Sequence, residues 1–208
     1  LSSHDTPTDA KAQGRIDRQR IRRAFKASLC FVLLLAFAVF MQSQFDLRAL
    51  AIAPLDARGL PGILTAPLLH GSFEHITANA ISLILLGTLA GSVYPRATLR
   101  ALPLLWLGSG LGAWLLGEAG TRHLGASGLT HGLMFVLGLL RRDRPAIAAA
   151  MIAFMLYGGM LLTVLPREPG ISWQAHLGGA LAGVLAAFLF RHRDPRPAPL
   201  GRRRRVRA

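Results

Sequence analysis

What most constrains this chain is that its apolar residues arrive in blocks. Six stretches, at residues 27–44, 76–94, 101–117, 126–140, 145–165 and 173–190, contain no charged residue. They follow neither the 3.6-residue nor the two-residue period of a half-buried soluble element. A helix needs about 20 apolar residues to cross a hydrocarbon core about 30 Å thick. The chain is 52% hydrophobic and only 16% charged, against about 25% charged in a soluble domain. The expected fold is an all-α polytopic membrane protein with six transmembrane helices. Its core would span residues 27–190, after a basic segment (1–26) and before an Arg-rich tail (191–208). Residues 1–10 are polar and are expected to lack regular structure. The first apolar block has the basic flank of a signal peptide. It lacks a small-residue cleavage site and five more blocks follow, so it reads as a retained span. Phe45–Glu74 carries Pro54, Gly59, Pro61, Gly62 and Gly71. It is too polar and too broken for a further span and is expected at the surface or partly in the interface.

The charges orient these spans. The net charge is +14. With both termini cytoplasmic, the inner side collects Lys11, Arg15, Arg18, Arg20, Arg22, Arg23, Lys26, Arg96, Arg100, Arg141, Arg142, Arg144 and the arginines from Arg191 to Arg207. That is 20 of the 24 basic residues, leaving Arg48, Arg58, Arg122 and Arg167 outside. Such a bias agrees with the positive-inside rule and with an even number of spans. The Arg202–Arg205 run then serves as an anchor on anionic lipid headgroups. No aromatic residues interleave it, which argues against nucleic acid as a partner. Cys30, the single cysteine, lies inside an apolar block and excludes both an internal disulfide and a Cys-His zinc pattern. The Arg- and Ala-rich composition suggests a bacterial protein of the inner (cytoplasmic) membrane.

Polar groups inside a membrane are costly and mark function. The spans hold no Asp or Glu, but they hold Asn79, Ser127, His131 and His176, with His75 at a mouth. Ser127 stands 14 residues from Arg141, His176 stands 15 from Arg191, and Asn79 stands 17 from Arg96. At 1.5 Å per residue these lie about 21, 22 and 25 Å above the cytoplasmic arginines. Three spans thus bring a hydroxyl, an imidazole and an amide to one depth, below the outer surface. His75, one turn above Asn79 on the same face, sits at the rim. The fourth block makes only about 22 Å of helix, so its N-terminus ends within the membrane slab. Open backbone N–H groups are tolerated there only beside a protein-walled, water-filled cavity.

Ser127 lies in Gly125-Ala126-Ser127-Gly128 at a helix start. The glycines permit close backbone approach, and the helix terminus offers donors to a developing oxyanion. A serine nucleophile needs a base, and His176 has the matching depth. No acidic third member is at hand, so the chemistry would be that of a Ser–His dyad. Read alone, the G-A-S-G motif is a weak signal that fits ordinary helix packing, and a histidine hydrogen-bonded for structure is the alternative for His176. Gly179 and Gly183 form a G-x-x-x-G face that would press His176 against a neighbouring helix, the fourth being the natural candidate.

Taken together, His70-x-x-x-x-His75-x-x-x-Asn79, then G-A-S-G, then Ala175-His176-x-x-Gly179-x-x-x-Gly183 resemble the rhomboid intramembrane serine proteases over residues 27–190. The resemblance implies a six-helix bundle with a short, centrally placed fourth helix, and a fifth span acting as a mobile lateral gate. It implies Ser127 as nucleophile and His176 as base. His75 and Asn79 would join the Ser127 N–H around the oxyanion, and His70 would shape the cavity or its water supply. Transmembrane client proteins would be the substrates, with no metal or cofactor. The chain departs from the family in three places. No Trp lies in the 45–74 segment, no Glu near the end of the second span, and His131 replaces a tyrosine four residues after the serine. The resemblance implies that a neutral His131 packs beneath the catalytic imidazole and orients it; the alternative is a histidine that only bonds a backbone carbonyl. Competing classes are a catalytically inactive client-binding relative, a metalloenzyme built on His70, His75, His131 and His176, and a small transporter. The metal reading lacks a carboxylate ligand in any span, and the transporter reading lacks symmetric broken spans.

Overall fold

The apolar blocks become helices because lipid offers no partner for backbone N–H and C=O groups. A computed structural model describes residues 7–140, 143–166 and 170–194. Arg141, Arg142, Arg167 and the arginines beyond position 194, which enter the orientation argument, lie outside the described residues. The chain runs α1 (Pro7–Gln44), α2 (Gly62–Thr65), α3 (Phe73–Val93), α4 (Pro95–Leu116), α5 (Ser127–Leu139), α6 (Arg144–Tyr157) and α7 (Trp173–Phe190). A 3-10 segment, Gly158–Val164, continues α6. Among the described residues the fold is helical, apart from one isolated bridge between Ile52 and His123. The stretches Lys11–Gln44, Phe73–Val93, Pro95–Leu116, Arg144–Val164 and Trp173–Phe190 are long and apolar enough to cross a membrane; Ser127–Leu139 is a shorter apolar helix.

Two expectations need correction. The helix of the first block begins at Pro7 and includes the basic stretch from Lys11 to Lys26. The expected lack of structure over residues 1–10 therefore fails from Pro7 on. The Phe45–Glu74 segment is more than a surface loop. It folds into 3-10 turns at Arg48–Leu50, Ala57–Gly59 and Ala66–Leu68 around α2, and it buries Ala51, Ile52, Ile63, Ala66 and Leu69. Two indoles of α4 hold it: Trp106 donates to the Leu64 carbonyl (3.2 Å) and Trp114 to the Asp56 carbonyl (3.0 Å).

Small residues set the helix contacts. Without a hydrophobic drive between helices in lipid, close backbone approach supplies the packing energy. Gly179 and Gly183 of α7 press on the backbone of Gly128 and Gly132 of α5, as the glycine pattern anticipates. A second seam was not anticipated: Gly178 and Ala182 of α7 seat against Gly108 and Gly112 of α4. Larger side chains fill the space below the site, with Leu86, Leu105, Leu133, Val136 and Leu137 almost fully buried. Phe37, Phe40, Phe154 and Phe188 instead point outward, each more than half exposed, as an acyl-chain solvent favours. At the other end the Asp194 carboxylate accepts from the N–H groups of Arg96 (3.2 Å) and Ala97 (2.8 Å), capping α4 from the far end of the chain.

Candidate active site

Ser127 is the first residue of α5, and the preceding Ala126 offers no side-chain cap. The opening N–H groups of this helix therefore lack a side-chain cap, and the Leu129 N–H turns back to the Ala126 carbonyl at 3.0 Å. The Ser127 hydroxyl lies 2.7 Å from His176 Nε2. If the hydroxyl donates, Nε2 is the unprotonated nitrogen and the proton sits on Nδ1. That assignment agrees with the other side of the ring. Nδ1 lies 2.9 Å from Thr163 Oγ1 and 3.1 Å from the Thr163 carbonyl, both able to accept its proton.

His131 sits one turn below Ser127, fully buried. Its ring stacks on that of His176 with centroids 4.0 Å apart and planes 15° from parallel. Its Nδ1 lies 2.7 Å from the Ser127 carbonyl, and its Nε2 lies 2.9 Å from the Met160 carbonyl and 3.0 Å from Thr163 Oγ1. The two alternatives for this residue thus coexist: a neutral ring, with its one N–H, donates to one of these backbone carbonyls, and it underlies the imidazole.

Opposite the dyad, Gly125 has φ +110°, a conformation glycine adopts freely. A Cβ there would lie 2.6 Å from His75 Nε2 and 3.7 Å from Asn79 Nδ2. Both polar side chains of α3 therefore flank the loop that leads into Ser127. Asn79 is buried, and its Nδ2 has no acceptor among the described residues. A buried amide donor without an acceptor is costly. His70 does not line the cavity. It stands behind His75 in edge-on contact at 5.0 Å, its backbone clamped by Gln42, whose side chain both accepts from the His70 N–H (2.9 Å) and donates to its carbonyl (3.2 Å). Burial pushes the His70 imidazole down to about 4, with neighbouring His75 adding to the effect.

These groups line one cavity of about 950 Å³, which includes His75, Asn79, Ser127, His131, Thr163 and His176, with Glu74, Glu118 and Arg122 toward its mouth. A second Ser–His pair crosses that mouth. His123 Nδ1 lies 2.6 Å from the Ser172 hydroxyl, and His123 Nε2 lies 3.0 Å from Thr121 Oγ1. Ser172 also caps α7, accepting from the Ala175 N–H at 3.3 Å. Burial lowers the His123 pKa, in keeping with a neutral ring. The sequence reading brought together Ser127, His176, His75, Asn79, His131 and the glycines, and it missed Thr163, His123 and Ser172. Only their polar character inside or beside an apolar block could have flagged them.

A helical, membrane-spanning chain with a serine and a histidine hydrogen-bonded across a polar cavity is the class that fold and site define. The family follows from comparison: the Rhomboid domain model matches residues 58–193, and the chain belongs to the rhomboid family. It is 41% identical over 149 residues to the uncharacterized protein Rv1337 of Mycobacterium tuberculosis, covering 66% of this chain and 62% of that one. It is 40% identical over 139 residues to the uncharacterized protein ML1171 of Mycobacterium leprae, covering 62% and 55%. The matched stretch thus spans less than two thirds of the length of these curated relatives.

Proposed function

We propose that this protein is an intramembrane serine endopeptidase that cleaves peptide bonds in or beside transmembrane helices of client proteins. The observation that carries the reading is the 2.7 Å contact between Ser127 Oγ and His176 Nε2 within a walled cavity. Ser127 Oγ attacks the scissile carbonyl while His176 Nε2 takes its proton. The oxyanion forms beside the Ser127 N–H, Asn79 Nδ2 and His75, donors fixed before the charge develops. The imidazolium then protonates the departing amine, leaving an acyl group on Ser127. Water, deprotonated by His176, hydrolyses that ester and restores the serine. With no carboxylate behind the base among the described residues, Thr163 and the stacked His131 hold the imidazole.

In this reading six spans cross the membrane, and α5 is the short central one that lifts Ser127 to its depth. Both termini face the cytoplasm of a bacterial inner membrane, with the Arg-rich ends on anionic headgroups, as the distribution of basic residues supports. Cleavage of a single-span transmembrane substrate by the purified protein, together with labelling by a serine-directed fluorophosphonate, tests it. Wild type is expected to cleave and to label, and Ser127→Ala to do neither. Ser127→Ala, His176→Ala and the double variant should be equally inactive, because the two residues act as a unit. A wild-type protein that folds, binds clients and neither labels nor cleaves would establish the inactive client-binding alternative.

A further inference from the structure

We infer that Thr163 is the positioning residue of the dyad, fastening the base to the 158–164 segment. The inference rests on the protease reading. His176 rises from α7, yet nothing on α7 fixes the plane of its ring. A base that must accept from Ser127 through Nε2 needs an acceptor at Nδ1 to hold both its tautomer and its direction. The acceptors within reach of Nδ1 among the described residues both belong to Thr163: Oγ1 at 2.9 Å and the backbone carbonyl at 3.1 Å.

The hydroxyl is itself oriented. Thr163 Oγ1 donates to the Met160 carbonyl at 2.7 Å, which turns its lone pairs toward the two imidazoles. His131 Nε2 reaches the same oxygen at 3.0 Å. One threonine thus joins the base, the ring stacked beneath it and the backbone of the segment. That segment is thinly packed: Gly158–Val164 is a 3-10 stretch with no buried residue, and a side chain at Gly159 would meet nothing within 4 Å. A shift of the segment by about 0.6 Å would carry the Oγ1 contact from 2.9 Å to the 3.5 Å limit of a hydrogen bond. The base therefore keeps its direction only while the segment stays in register with α7.

The test compares wild type, Thr163→Val, Thr163→Ser and Ser127→Ala in cleavage of a single-span transmembrane peptide, with kcat, KM and unfolding temperature measured for each. Valine keeps the shape and removes the acceptor; serine keeps the acceptor. Loss of the Oγ1 acceptor should lower kcat by about tenfold in Thr163→Val with KM unchanged, and, because Oγ1 also bonds the Met160 carbonyl, with a lower unfolding temperature. Thr163→Ser should stay near wild type. Should the valine form not accumulate, Thr163→Cys, a weaker acceptor of similar size, is expected to show a smaller loss confined to kcat. Wild-type kcat in Thr163→Val, or equal losses in the valine and serine forms, would overturn the inference while Ser127→Ala remained inactive. Equal inactivity of wild type and Ser127→Ala would instead fell the protease reading, and this inference with it.

Discussion

Replacing Gly179 by alanine should separate nucleophile from base. A Cβ on Gly179 would lie 2.6 Å from the Gly128 carbonyl carbon and 3.0 Å from its Cα, and closer still to its carbonyl oxygen. Ordinary contact begins at 3.4 Å, so α5 and α7 must part by at least about 0.8 Å, the difference between 3.4 and 2.6 Å. Backbone atoms have no rotamer with which to give way. Added to the 2.7 Å between Ser127 Oγ and His176 Nε2, that shift puts the pair near 3.5 Å, the limit of a hydrogen bond. A misplacement of about 1 Å costs about a hundredfold in rate. Helix propensity acts the other way, since alanine favours a helix over glycine by about 1 kcal/mol. Gly138→Ala on exposed α5 surface, where a Cβ meets nothing within 4 Å, is the control. The assay is turnover of a transmembrane substrate and the rate of fluorophosphonate labelling, alongside unfolding temperature. Gly179→Ala turning over at the wild-type rate, with Gly138→Ala unchanged, would refute the claim that this seam sets the dyad distance.

Four further outcomes are expected. His75→Ala and Asn79→Ala should each slow turnover without abolishing it, since one lost oxyanion donor costs about 2.7–4 kcal/mol in a soluble protease; kcat on the same substrate measures it. His131→Phe and His131→Tyr should keep substantial activity because a planar ring remains, whereas His131→Ala should lose about a hundredfold through a misplaced base; turnover set beside unfolding temperature separates this from simple destabilisation. Asp194→Ala removes the cap from α4 and should cost about 1 kcal/mol of stability, seen as a lower unfolding temperature with kcat unchanged. His70 binds fewer protons folded than unfolded, so the stability it contributes is present above its ordinary value of 6.5 and is lost as pH falls toward about 4. The unfolding temperature should drop between pH 7 and pH 5, and drop less in His70→Gln.

Much of this arrangement was legible in the sequence because a membrane makes burial and polarity conspicuous. Ser127, His176 and Asn79 stand out against apolar neighbours, and distances from the flanking arginines place them at one depth. The Gly179–Gly183 spacing likewise announces a close helix contact. Thr163 was not legible. A threonine in an apolar block is ordinary, and its role depends on a 3-10 stretch that carries its side chain toward α7. The Phe45–Glu74 segment misled for a related reason. Its prolines and glycines break any periodic pattern, yet they permit tight turns: a Cβ on Gly62 would fall 2.7 Å from the Ala51 carbonyl carbon. The partners that order the segment, Trp106 and Trp114, lie far along the chain on α4. The missing tryptophan of the segment is thus matched by indoles that reach it from outside.

The mouth of the cavity bears on how loss-of-function variants should be read. His123 precedes Ser127 by four residues, and Ser172 precedes His176 by four. The same two chain regions are therefore tied twice, by His123–Ser172 at 2.6 Å and by Ser127–His176 at 2.7 Å, with histidine and serine exchanged between them. The upper tie closes on its own. Thr121 donates to the Glu118 carbonyl, His123 Nε2 donates to Thr121, Ser172 donates to His123 Nδ1, and the Ala175 N–H donates to Ser172. Each hydroxyl in that chain gives one proton and accepts one, which a neutral His123 satisfies in full. Removing the Ser127 hydroxyl leaves this network and the Gly128–Gly179 seam in place. Inactivity of Ser127→Ala would therefore report lost chemistry rather than a parted bundle, and Ser172→Ala, which breaks the upper tie and uncaps α7 together, is the variant in which geometry and stability should fail at once.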